Sequence, residues 1–276
     1  MNFINCTGAS SPELVKKTVI FWSENSAQHI NSLLRSVTGT TAVLQEDFKQ
    51  QLHTYYDMFL KIKDALSQKQ FNSSIYTQFF GVNMGFINLL ERIKYEAFSG
   101  YPILQQSVFH YLYEGRYINS ILGFKNSVGN VLVTTYFLPF LNRSVDCIYN
   151  QIYFWSIIAS MHPSLIMQNN AFYNAINGYA KEFLTGVCNS FNNINFALSS
   201  LKRPVKKASL SVIFNEFASL NNDYLEFLKA VKQTNPKIFT LPSAVRLPSS
   251  FYGAVDHQIA EHTLVSEINS NMEKMF

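Results

Sequence analysis

Charged residues are scarce in this 276-residue sequence, and so are glycine and proline. Only 14% of the residues are charged, against about 25% in an average globular protein, and the net charge is a mild +4. With 47% apolar residues but only 11 glycines and 8 prolines, the composition excludes a disordered chain and provides enough apolar material for a full core. The length corresponds to one or two domains.

Cysteine is also rare, and the chain has no Cys-x-x-Cys pair. Cys6, Cys147 and Cys188 are odd in number and far apart, so we expect reduced thiols and no disulfide framework. The first residues lack the basic region and apolar core of a secretory signal. Both features favour a cytoplasmic protein.

Two further classes of partner are disfavoured by the distribution of charge. The stretch Cys147–Ala180 carries no charged residue, but its five asparagines, two glutamines, histidine and proline would not face lipid. We therefore expect buried central helices and no membrane. The basic residues cluster only at Lys202-Arg203 and Lys206-Lys207, which we interpret as a solvated loop, so we expect no nucleic-acid partner. Whether the chain binds a protein partner or forms a homo-oligomer is left open.

A nine-residue motif occurs twice. Phe21-Trp22-Ser23 is followed after five residues by His29, and Phe154-Trp155-Ser156 is followed after five residues by His162. The sequence has only two tryptophans, and each lies in one copy, so the motif predicts an internal duplication with an offset of 133 residues (154 − 21).

A second repeat is a His-x3-Glu pair, formed by His110 and Glu114 and again by His257 and Glu261. Its offset is 147 residues (257 − 110), so we expect 14 additional residues (147 − 133) in the second copy, within the stretch Asn189–Lys207. Between the two repeats, we match the positions Phe48, Leu52, Tyr55 and Phe59 to Phe172, Ile176, Tyr179 and Phe183.

Apolar residues recur at spacings of three and four throughout, which predicts an all-α protein of two tandem four-helix bundles with ferritin-like up-and-down packing. We expect the first repeat over residues 1–123, a connector with partial helix over residues 124–143, and the second repeat over residues 144–276. The expected helices run from Pro12 to Gly39, across Phe48–Leu66, over Ile75–Ser99 and Ile103–Leu122, around Trp155–Ile166, over Asn169–Phe191 and Leu210–Gln233, and through His257 to Ile268.

Each repeat therefore contributes an inward histidine from its first helix and a His-x3-Glu pair from its last helix. Residues four apart on a helix lie on one face, and imidazole with carboxylate is a common ligand set for zinc, iron or manganese. The candidate metal ligands are His29, His110, Glu114, His162, Asp256, His257 and Glu261, where Asp256 supplements or orients its neighbours. His262, five residues after His257, is expected to lie behind the ligands or at the surface. The alternative is that the histidines and glutamates only form a polar layer in the core.

The tandem Phe-Trp-x6-His helix, the Leu52/Tyr55/Phe59 seam and the Asp256-His257…Glu261 helix together resemble the bacterial DUF2935 proteins (domain of unknown function 2935) over nearly the whole chain. The resemblance implies a duplicated four-helix bundle of metalloprotein type with no established reaction. This chain has Gln28 and Met161 where the family usually has glutamate, and Ala260 where it usually has arginine. Loss of the two glutamates removes a strong ligand from each repeat, which leaves a weakened or vestigial site as an open alternative.

Three classes of function remain open. The first is a metal-binding protein with redox or storage duties, and the second is a structural or interaction protein with a vestigial metal site. The third is a metal-dependent enzyme, which has the least support because no nucleophile–base pair or phosphate loop accompanies the candidate ligands.

Overall fold

The first helix, α1 (Pro12–Ser36), starts at a proline, whose fixed φ suits the first helical position. The computed structural model describes residues 12–37, 42, 44–68, 73–121, 123–127, 130–134, 144–240, 247, 249–273 and 276. Contacts divide the described residues into two compact units, one up to residue 134 and one from residue 144 onward. We call these the first and second units.

In the first unit, α1 is followed by α2 (Glu46–Gln68), α3 (Ser73–Arg92) and α4 (Pro102–Ile121). The helix α3 ends in a π-helical turn, Ile93–Ala97, closed by the bond from Phe98 N–H to the Ile93 carbonyl oxygen. Each helix packs on the next and α4 packs back on α1, so the four helices form a closed bundle. The buried residues of α2 follow the expected seam: Phe48, Leu52, Phe59, Ile62 and Leu66.

After α4 the chain forms a β-hairpin, in which β1 (Gly123–Ser127) pairs antiparallel with β2 (Asn130–Thr134). The expectation of partial helix in the connector is therefore wrong over these residues. The β-branched pair Val131 and Val133 favours a strand over a helix. The rest of the connector, residues 128–129 and 135–143, lies outside the described residues.

The second unit contains α5 (Ser144–Met167), α6 (Asn170–Ala175), α7 (Gly178–Ser199), α8 (Lys207–Lys232) and α9 (Ser249–Met272). The helices α5, α7, α8 and α9 pack in the same cyclic order as the four helices of the first unit. Both units are thus helical bundles, and the expected all-α fold is confirmed. No helix in the described ranges combines the length and apolarity needed to cross a membrane.

The single helix expected over Asn169–Phe191 is interrupted, because Ile176 is extended and pairs with Phe239. Asn177 then starts α7 by accepting a hydrogen bond from Ala180 N–H at 2.8 Å, and its own side-chain amide donates to the Lys237 carbonyl at 2.6 Å. The long-range contact with the α8–α9 connection divides the helix, and short-range periodicity does not contain that information.

The helix α7 also continues past the expected end at Phe191, so much of the stretch expected to hold the additional residues is helical. Its buried positions Ala180, Leu184, Phe191, Ile194 and Leu198 each lie 132 residues after a buried position of α2 (180 − 48). The matching of α2 to Phe172–Phe183 is therefore wrong in register. Two connections are longer in the second unit: residues 200–206 between α7 and α8, against 69–72 in the first unit, and residues 233–248 between α8 and α9, against 98–101. The expected stretch therefore holds only part of the additional length.

Candidate metal centre

In the first unit, α1 and α4 bring two histidines to one carboxylate. His29 Nε2 lies 3.3 Å from Glu114 Oε2, and His110 Nε2 lies 3.4 Å from Glu114 Oε1. Ligand atoms of the two histidines lie within 4.8 Å of each other. The three residues are at most 3% exposed, because the seven-residue spacing from Trp22 turns His29 inward and the spacing of four stacks His110 over Glu114.

Two neighbours hold this first cluster in place. Asn25, one turn before His29 on α1, donates a hydrogen bond from Nδ2 to Glu114 Oε2 at 3.0 Å. The ring of Tyr111 stacks on the His29 imidazole at a centroid distance of 4.0 Å. The carboxylate and one imidazole therefore each have a defined orientation.

The second unit repeats the arrangement with α5 and α9. His162 Nε2 lies 3.0 Å from Glu261 Oε2, and His257 Nε2 lies 3.1 Å from Glu261 Oε1. His162 and Glu261 are fully buried, and the His257 side chain is 12% exposed. The proline after His162 lies inside α5, and the helix continues through it.

Burial alone would raise the pKa of Glu261, because a carboxylate loses its hydration there. The adjacent imidazoles of His257 and His162 outweigh burial and hold the pKa of Glu261 well below its usual range. Its carboxylate is therefore charged at neutral pH. The Nε2 atoms of both histidines lie about 3 Å from its oxygens.

His262 adds a feature that the first unit lacks. It is buried, with Nε2 at 2.9 Å from His162 Nδ1 and Nδ1 at 2.7 Å from Asn221 Oδ1. Burial lowers the pKa of His262 well below the ordinary value of histidine, with His162 adding to the effect and Glu261 opposing it. The side chain therefore lies behind the ligands, and the alternative of a surface position is wrong.

The corresponding position in the first unit is Gly115, one residue after Glu114. Asn83 of α3 donates to the Gly115 carbonyl at 2.9 Å and to Asn119 Oδ1 at 2.8 Å. Asn221 of α8 donates to the equivalent groups of α9, the His262 carbonyl at 3.1 Å and Ser266 Oγ at 2.8 Å. Sequence reasoning missed both asparagines, since an isolated asparagine has no repeating spacing by which to find it.

The structure thus brings six of the seven proposed ligands into two clusters, and it places the seventh elsewhere. The Asp256 carboxylate is half exposed and pairs with Lys232 of α8 at 2.5 Å. Consecutive helical residues point about 100° apart, so a side chain next to the inward His257 points away from the core. The expectation that Asp256 supplements the ligands is therefore corrected.

The distances within each cluster suit a metal ion. Metal–nitrogen and metal–oxygen bonds of about 2.1 Å at angles of about 90–109° place adjacent ligand atoms roughly 3.0–3.4 Å apart. The four observed separations between imidazole nitrogen and carboxylate oxygen span 3.0 to 3.4 Å. Buried histidine and glutamate side chains of this protein could therefore hold a metal ion. The sequence matches none of the protein-family models and none of the curated proteins with which it was compared.

Proposed function

We propose that this protein binds a transition metal, namely iron, zinc or manganese, through two histidines and one glutamate in each bundle. The first set is His29, His110 and Glu114, and the second is His162, His257 and Glu261. The observation that carries the proposal is that both units place two Nε2 atoms against the two oxygens of one buried carboxylate, at the separations of adjacent ligands.

The chemistry of the donors supports the same function. Two imidazoles and a carboxylate form the ligand set that non-haem iron, zinc and manganese share. When bound, such an ion supplies Lewis acidity or redox chemistry, and the protein residues hold it in an apolar, water-poor core. The repeated clusters also support our proposals that the chain arose by duplication and is related to the DUF2935 proteins.

The second candidate is a structural protein whose histidines and glutamates form a polar core layer. It is favoured by the second unit, where the separations of 3.0 and 3.1 Å also lie within the range of charge-assisted hydrogen bonds. A charged Glu261 between two histidines would then be a buried ion pair with no metal. The two candidate functions predict different metal contents, but the same fold fits both.

The deciding experiment is element-resolved metal analysis of the full chain purified without chelator, repeated after chelation and reloading with Fe(II), Zn(II) or Mn(II). We expect a bound transition metal, nearer one ion than two per chain, that is lost on chelation and regained with one of the three ions. Protein that carries no metal and regains none would favour the polar layer.

Paired substitutions locate the metal. We compare His257→Ala with Glu261→Ala against His110→Ala with Glu114→Ala, and expect the first pair to remove more metal. The matched control is His53→Ala, since His53 lies on the exposed face of α2 and should leave the metal content unchanged. A loss caused by the control would indicate adventitious surface binding.

A further inference from the structure

The side-chain amide of Asn221 has only one orientation that its surroundings permit. Asn221 is fully buried, and one end of its amide faces the His262 carbonyl oxygen at 3.1 Å. A carbonyl oxygen can only accept a hydrogen bond, so the amide nitrogen must lie on that side. The amide oxygen is thereby fixed on the opposite side, 2.7 Å from His262 Nδ1.

This orientation determines where the proton of His262 lies. An amide oxygen only accepts, so Nδ1 of His262 must carry the proton and donate it. A neutral imidazole has one donor and one acceptor, which leaves Nε2 of His262 as an acceptor. That Nε2 faces His162 Nδ1 at 2.9 Å, so Nδ1 of His162 must be the donor.

We infer that His262 is a positioning residue for His162: by accepting the Nδ1 proton, it keeps the Nε2 lone pair of His162 directed at Glu261 and ready to bind a cation. Asn221 sets the proton position of His262, and His262 sets that of His162. The effect on metal affinity rests on the proposed function, whereas the position of the proton does not.

This assignment calls for a cation between His162 and Glu261. A lone pair that faces a carboxylate at 3.0 Å is unfavourable unless a positive charge lies between the two groups. A bound cation supplies that charge, and histidines that ligate metals usually donate their other ring N–H to a fixed acceptor. Here that acceptor is another histidine.

The first unit has no equivalent of His262, because the corresponding residue, Gly115, has no side chain. Asn83 has the same anchoring bonds as Asn221, but its Oδ1 accepts no hydrogen bond within the described part of the chain. The two asparagines therefore make equivalent hydrogen bonds to the last helix of their unit, but only Asn221 also accepts a hydrogen bond that fixes the proton position of a histidine next to a proposed ligand. This difference provides a matched internal control.

The position of the proton is tested directly by nitrogen-15 NMR of histidine side chains in the metal-free full chain, at about pH 8.5, above the ordinary pKa of histidine. We expect His162 and His262 both to carry their proton on Nδ1. In the variant His262→Leu, the His162 proton should no longer be confined to Nδ1. A proton on Nε2 of His162 in the native chain would overturn the inference, and this result does not depend on any variant folding.

The consequence for binding is tested by Zn²⁺ competition with a chromophoric chelator. We expect His262→Leu to weaken the tightest zinc-binding step roughly 10–100-fold. His262→Gln should restore most of the loss, since its amide oxygen can accept from His162 Nδ1. The control Ser266→Ala removes another bond of Asn221 and should leave the affinity within a factor of about two.

The possible results separate the two proposals. If the native chain binds no zinc, iron or manganese, the proposed function fails, and the NMR measurement still decides the inference. If zinc binds but His262→Leu leaves its affinity unchanged, the proposed function stands and the positioning role is wrong. An equal loss in His262→Leu and Ser266→Ala would show a structural effect only, and would also overturn it.

Discussion

The two equivalent asparagines allow the cost of the His262 network to be isolated by one comparison of stability. The substitution Asn83→Ala removes two donated hydrogen bonds and leaves a cavity of one amide group. Asn221→Ala removes the equivalent two bonds and leaves the same cavity, but it also leaves His262 Nδ1–H buried without its acceptor. The first variant therefore serves as the reference for the second.

A buried donor that loses its acceptor costs about 1–3 kcal/mol. Since the lost bonds and the cavities are matched, we expect Asn221→Ala to destabilise its unit by about 1–3 kcal/mol more than Asn83→Ala destabilises the other. With a urea m-value of about 2 kcal/mol per molar, the difference in transition midpoints is roughly 0.5–1.5 M.

The chain provides its own assay, because each unit has one tryptophan and both are only 2% exposed. In a Trp22→Phe background, the fluorescence of Trp155 reports urea unfolding of the second unit, and a Trp155→Phe background reports the first. Each asparagine variant is measured against its own background in metal-free buffer. If Asn83→Ala costs as much as Asn221→Ala, the His262 contact contributes nothing and the reasoning is refuted.

Three further predictions concern single sites away from the clusters. Gly81→Ala should stabilise the chain by about 1 kcal/mol in thermal or urea unfolding, because the position is exposed in α3 and a Cβ meets no atom there. Gly85→Ala should be about 1–3 kcal/mol less stable than Gly81→Ala, since its Cβ would overlap the Tyr55 hydroxyl. Equal stabilities of the two variants would contradict this. Asn177→Ala should cost about 1 kcal/mol through loss of the α7 cap, and an unchanged midpoint would show that the cap is dispensable. Partial burial raises the pKa of the Cys188 thiol. In a variant whose other two cysteines are serine, its alkylation should therefore be slower than that of a free cysteine at pH 8 and should rise with pH to a later plateau; a rate equal to that of the free thiol would be evidence against the raised pKa.

The helices and the two clusters could be predicted because both depend on short-range periodicity. The spacing of seven from Trp22 to His29 and the spacing of four from His110 to Glu114 fix which face of a helix each side chain occupies. Once the helices close into a bundle, inward residues at the same level must meet. Those two conditions account for the contact of His29 and His110 with one carboxylate.

The features that were missed depend on contacts between distant residues. The break before α7 comes from pairing of Ile176 with Phe239, and the outward position of Asp256 is stabilised by Lys232. The aromatic residue Phe172 favours a different register of α7 against α2 from the one that the buried positions set, because the sequence does not display burial. Each of these features depends on which residues lie close together in the bundle, and residue type alone does not show that.

If the protein binds metal as proposed, the differences between the two clusters, more than their common ligands, should decide which one binds a cation more tightly. Asn25 donates a hydrogen bond to Glu114, which occupies a lone pair of that carboxylate, whereas the equivalent position in α5, 133 residues later, is the apolar Ile158 (158 − 25). Glu261 therefore receives no competing amide hydrogen bond from that position of α5. His262 sets the proton of His162 at the same cluster, and Gly115 cannot do so at the other. Because both differences act in the same direction, the second unit should fill first as metal is added, even though Asp256 takes no part.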